Sequence, residues 1–160
     1  MAAEYSANAV QTVAVNAPVV FTESPVPCSR GIIFHRDESG MFRLANNAVS
    51  NTCGCGCGSR KVYESLYAVT FHGNIAIAEG GTAGPIQLSV SIDGEPDPSS
   101  TMIVTPAAVG DFQNVGAEII VAVPSICGCE SISVRNTSTQ SVDVQNANLT
   151  INYLGLRRVL

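Results

Sequence analysis

The sequence predicts an all-β protein, an antiparallel sandwich or jelly roll of about eight to ten short strands. Two observations predict it: apolar residues recur at every second position, and clusters of Gly, Pro, Asn, Asp and Ser interrupt them at short intervals. No stretch carries the helical period.

The clearest alternation runs through Tyr67, Val69, Phe71, Gly73, Ile75 and Ile77. Ile86, Leu88, Val90 and Ile92 repeat it, as do Ala117, Ile119, Val121 and Val123. Each set marks one buried face of a strand, because side chains alternate between the two faces of a sheet. Further strands are expected at 10–21, 28–35, 41–44, 102–105, 131–136 and 142–153. Turn clusters separate them at Asp37–Gly40, Asp93–Pro98 and Asn136–Thr139. The inward set should include Val69, Phe71, Ile75, Leu88, Val90, Ile119, Val121, Val134, Leu149 and Ile151.

The chain has 160 residues, 46% of them hydrophobic and 13% charged, which suits a single domain over residues 1–160 with a substantial core. A net charge of −5, with no basic cluster beyond Arg157 and Arg158 at the tail, argues against a nucleic-acid partner. The first residues lack the basic start and apolar run of a secretory signal, and no segment has the length of apolar residues that a membrane helix needs. A soluble protein outside the Sec route, with no membrane partner, is therefore expected.

Six cysteines sit oddly beside that expectation. Three of them, Cys53, Cys55 and Cys57, alternate with glycine; Cys127 and Cys129 flank Gly128; Cys28 stands alone. Alternating thiols in a turn-rich segment are not core packing. A particle assembled inside a cell and later released would reconcile thiols that cross-link with the missing signal.

The order of the motifs brings a family into view. Met41-Phe42-Arg43-Leu44 precedes the strand of Tyr67 to Ile75, then Ile86 to Gly94, then a closing Asn146-Ala147-Asn148-Leu149-Thr150-Ile151-Asn152-Tyr153. This order resembles the jelly rolls of the tumour-necrosis-factor-like and complement-globular-head family. It is most similar to small bacterial and phage members such as the terminal domains of exosporium glycoproteins. The likeness spans nearly the whole chain and departs from the pattern at two places. A cysteine-rich insertion over residues 45–66 replaces a short turn, and Ile126 to Glu130 carries cysteines where a Gly-Asp turn is usual. No collagen-like repeat precedes the domain.

The resemblance implies that the strand of Tyr67 and the strand of Val121 are antiparallel neighbours. Both large cysteine loops would then leave from one end of the molecule, and a hairpin at Asp37–Gly40 would bring Cys28 there too. Disulfides among Cys28, Cys53, Cys55, Cys57, Cys127 and Cys129, within or between subunits, are the favoured reading. A Cys-Gly-Cys pair cannot readily bridge to itself, so its partners should lie in another loop or chain. A metal site at Cys53, Cys55, Cys57, Cys127 and Cys129 is the alternative, against a ligand spacing usually wider than one residue. Redox catalysis has no Cys-X-X-Cys motif to support it.

The resemblance also implies a homotrimer, with the outer face of one sheet against the three-fold axis. Ala68, Thr70, His72 and Asn74, with Ile120 and Ala122 and with Asn148, Thr150 and Asn152, supply the small and amide side chains that such an interface needs. A solvated sheet face would carry the same residues. Asp93, Glu95 and Asp97 read as a solvated turn rather than a calcium loop, and no nucleophile motif accompanies His35 or His72. The expectation is a non-enzymatic structural protein without cofactor. It would sit on the surface of a bacteriophage virion, as a capsid decoration protein or fibre head, with other virion or surface-layer proteins as partners. A spore-surface protein and a receptor- or glycan-binding module are the alternatives.

Overall fold

A computed structural model describes residues 1–28, 31–36, 38–47, 62–124 and 128–159. The strands are β1 (Ala2–Ala7), β2 (Gln11–Val13), β3 (Glu23–Val26), β4 (Ile33–His35), β5 (Phe42–Ala45), β6 (Val62–Ile77), β7 (Ile86–Ile92), β8 (Glu95–Pro96), β9 (Met102–Val104), β10 (Gln113–Val123), β11 (Cys129–Asn136) and β12 (Val142–Val159). Among the described residues one 3-10 turn, Pro98–Ser100, is started by the Asp97 side chain. One sheet runs β10-β6-β12-β1-β3, with β2 continuing the line of β1 along β12; the other runs β4-β5-β11-β7-β8, with β9 also on β7. All pairings among the described residues are antiparallel, and from β9 onward each strand passes to the opposite sheet, so the architecture is the predicted jelly-roll sandwich.

Alternation decides which residues meet between the sheets. All ten residues expected to face inward are buried. Around them lie Tyr67, Ile77, Ile86, Ile132, Val142 and Val144. An aromatic knot closes the wall beside β4 and β5. Phe42 stacks on His35 at 4.3 Å and meets Tyr5 at 4.7 Å and Phe21 at 5.4 Å. His35 is thus a packing residue, held by a 2.9 Å contact between its Nε2 and the Ser39 carbonyl.

Several boundaries differ from expectation for identifiable reasons. The strand expected over 10–21 stops at Val13, because Asn16 adopts a left-handed φ of 62° and the chain then turns onto β11, bonding to it from Asn16 to Val19 around an isolated bridge at Pro18. The strand expected from Cys28 begins at Ile33. The cysteine-rich insertion expected over 45–66 is shorter at its far end: β6 already starts at Val62, paired with the tail of β12. β12 in turn runs beyond Tyr153 to Val159, past bulges at Asn146 (φ 52°) and before Gly155 (φ 129°).

One buried hydroxyl has no partner among the described residues. Ser91 Oγ lies on β7, fully covered. A buried unsatisfied hydroxyl costs free energy, so Ser91→Ala should raise stability by about 1 kcal/mol in urea unfolding.

Candidate functional site: a sheet face and a cysteine-bearing pole

The outer face of the first sheet brings the expected interface residues into register. One row runs Ile120, Ala68, Asn152, Ala2 across four strands; the next runs Glu118, Thr70, Thr150, Glu4; a third runs Gly116, His72, Asn148, Ser6. Ala122 stands beyond Ile120, and Asn74 beside Asn114, whose side-chain amide donates to Asn74 Oδ1 at 3.2 Å. The alternation that sends Phe71 inward necessarily sends Thr70 and His72 outward.

Charge on this face is sparse and tied down. Thr70 Oγ1 donates to Glu118 at 2.9 Å, and Asn148 Nδ2 donates to Glu4 at 2.7 Å. Ile120 is 54% exposed, a large apolar side chain in the row with Ala68. Gly116 is needed beside His72, because a Cβ there would come within 2.9 Å of the imidazole Nδ1. Ala68 is buried by its neighbours, while His72 stands exposed.

The pole at which β6 begins is where the cysteine loops depart. Asn47 precedes one loop and Val62 follows it; Pro124 and Gly128 flank the other. Asn46 gathers these exits, its amide donating to the carbonyls of Tyr63, Val123 and Pro124 at 2.9 to 3.1 Å. The Asn46 backbone N–H donates to the Gly128 carbonyl at 3.1 Å, and Asn47 N–H donates to Ser65 Oγ at 2.7 Å. Cys129 is exposed and lies opposite Ala45 in the register of β11 and β5. Cys28 is half-buried at the same pole, its thiol donating to Met1 Sδ at 3.4 Å. The Met1 carbonyl accepts from Tyr153 N–H, and the Tyr67 hydroxyl reaches the Ala45 carbonyl. Burial pushes the Tyr67 phenol up, with Tyr153 and then Cys28 adding to the shift. Cys53, Cys55, Cys57 and Cys127 lie outside the described residues.

Among the described residues, no group of three or more His, Cys, Asp or Glu is placed to hold a metal. Two of the three acids of the β7–β8 region, Asp93 and Asp97, are engaged separately. Asp97 Oδ1 accepts from Ser99, and Asp93 Oδ1 accepts from Ser131 N–H at 2.8 Å and from its hydroxyl at 3.0 Å. Asp93, in the turn after β7, also shares a hydrogen bond with Glu130 on β11, a pairing that sequence reasoning missed.

No protein-family model and no curated protein matches the chain. Among solved structures it is similar to pika GITRL, at 15% identity over 96% of each chain with a TM-score of 0.45. It is similar to rabbit GITRL at 13% identity, over 96% of this chain and 93% of that one, with a TM-score of 0.44. It is similar also to the CBM35 module of Cellvibrio japonicus Abf62, at 10% identity over 100% and 99%, with a TM-score of 0.40. By its own strand order the chain is an antiparallel jelly-roll sandwich.

The Asp93–Glu130 pair makes a pH prediction. The bond to Asp93, then partial burial and the Asp93 charge, push Glu130 from its ordinary 4.5 up to about 7. The same bond and the Ser131 donors hold Asp93 below its ordinary value. Glu130 therefore stabilises the fold fully below pH 4.5, and this contribution is lost as pH rises through about 7. Asp93 works the other way, losing its contribution as pH falls below its ordinary 3.8. Glu130→Gln, which keeps a donor and cannot ionise, should flatten the melting temperature between pH 4.5 and about 7. A series of melting curves for both proteins checks this.

Proposed function

We propose that the protein is a non-enzymatic structural component that assembles as a homotrimer through the outer face of the β10-β6-β12-β1 sheet. The observation that carries the reading is the composition of that face. It is built of alanine, threonine and asparagine around an exposed Ile120, and the side chains of Glu118 and Glu4 are each held by a neighbour in the same sheet. Three such faces can approach closely, bury Ile120, and exchange amide hydrogen bonds. A carboxylate already hydrogen-bonded by its own chain costs less to cover than a bare one.

Its proposed place is the surface of a bacteriophage virion, where it would act as a decoration protein or fibre head beside other surface proteins. Cys28, Cys129 and the four further thiols would staple the pole from which the loops leave, within or between subunits. Light scattering at micromolar concentration tests the assembly: a mass of three chains is expected, and a mass of one chain overturns the trimer. Thiol titration of denatured protein tests the staple, which six free thiols without released metal would refute. Detection in purified virions, rather than in spore coats, tests the location.

A further inference from the structure

The register of β6 and β12 carries a two-stranded ribbon past the end of β1. Residues 62–66 pair with 155–159, yet β1 joins β12 only from Ala2 opposite Asn152, and β10 leaves β6 at Ser65 opposite Val123. Among the described residues, the outer edge of β12 from Leu154 onward thus has no strand beside it. Its side chains are apolar and exposed: Leu154 is 55% exposed, Leu156 46% and Val159 39%. Open apolar edges of this kind are pairing surfaces.

The ribbon also carries two arginines, Arg157 and Arg158, in an acidic chain. Arg157 is paired with Glu64 across the ribbon, whereas Arg158 is exposed and has no salt-bridge partner among the described residues.

The opposite end of the same sheet has the complementary character. Ile77 and Val142 mark that end, with Asp143 and Glu79 beside them, and the Ile77 carbonyl accepts from Gly110 N–H, which brings Asp111 alongside. Segments 75–82, 107–113 and 138–144 contain no lysine or arginine. Val109 and Phe112 are exposed there, and a shallow cleft of about 220 Å³ opens between Glu79, Thr82 and Gln140.

We propose that the ribbon of one copy docks on the acidic, apolar far end of a second copy, so that the units stack head to tail. Charge complementarity commits the occupant: a basic apolar ribbon and an acidic apolar end sit at opposite poles of one sheet. The contact is heterologous, using different surfaces on the two partners, so it propagates rather than closing. A trimer would carry three ribbons at one pole and three acidic ends at the other, and the three contacts would reinforce one another. Stacking nevertheless depends on the two poles alone.

Sedimentation velocity of the full chain over a concentration series is the test. At low ionic strength the wild type should form species larger than its basic unit, and these should dissociate at about 0.5 M salt, where charges are screened within a few ångströms. Arg158→Glu and Glu79→Arg should each raise the concentration needed for stacking at least about tenfold. The chain carrying both changes should regain part of the loss. A unit mass constant with concentration overturns the proposal, and so does stacking that Arg158→Glu and Glu79→Arg both leave unchanged. A single chain that stacks refutes the trimer alone, and a trimer that never stacks refutes this contact alone.

Discussion

Replacing Phe71 with alanine should destabilise the protein by about 3 to 5 kcal/mol, the loss expected when a fully buried aromatic leaves a cavity that the surroundings cannot close. Phe71 is completely covered, and its ring lies over Gly73, where a Cβ would come within 3.0 Å of the ring edge. β6 is held on both sides, by β10 and by β12, so neither neighbour can move in to fill the space. Urea unfolding measures the change, and a loss below about 1 kcal/mol would mean that the sandwich collapses around the site.

Ala122→Arg should convert a trimer into single chains. Ala122 is half-buried on the outer face, one step beyond Ile120 on β10. Three guanidinium groups brought near one axis would each lose water without gaining an anion, a cost of several kcal/mol per charge. In an isolated chain the same arginine reaches solvent, so the melting transition of the monomer should remain cooperative. Light scattering should show a threefold fall in mass; an unchanged mass would place the interface elsewhere.

Strands that alternate large apolar with polar residues could be read directly. β6, β7 and β10 announce their inward faces through Val69, Phe71, Leu88, Val90 and Val121, and the structure buries all of these. β1 and β3 were not legible. β1 turns Ala3, Tyr5 and Ala7 inward, and two alanines give too little hydropathy contrast to mark a strand. β3 is Glu-Ser-Pro-Val at the sheet edge, exposed throughout, so nothing in it needed to be apolar. The outer face of the first sheet followed from parity alone once Phe71 was placed. Asp93 and Glu130 gave no sequence signal, because only the pairing of β7 with β11 brings them together. The gathering of loop exits by Asn46 was equally invisible, since a single asparagine spans carbonyls from two other strands.

The position of β12 also governs the order in which the protein can be made. Its residues 147–152 lie between β6 on one side and β1 on the other, so β1 waits for β12, made about 140 residues later, before it has a neighbour on that flank. Until then β6, sixteen residues long, is open along one edge. Pairings that link the two ends of a chain close slowly, since the entropy of so large a loop must be overcome before any contact repays it. The second sheet and the β6–β10 ladder are complete earlier in synthesis, and the nascent chain would be held as that partial sandwich. The outer face of this sheet is therefore complete, and available for assembly, only once β12 has joined both β6 and β1.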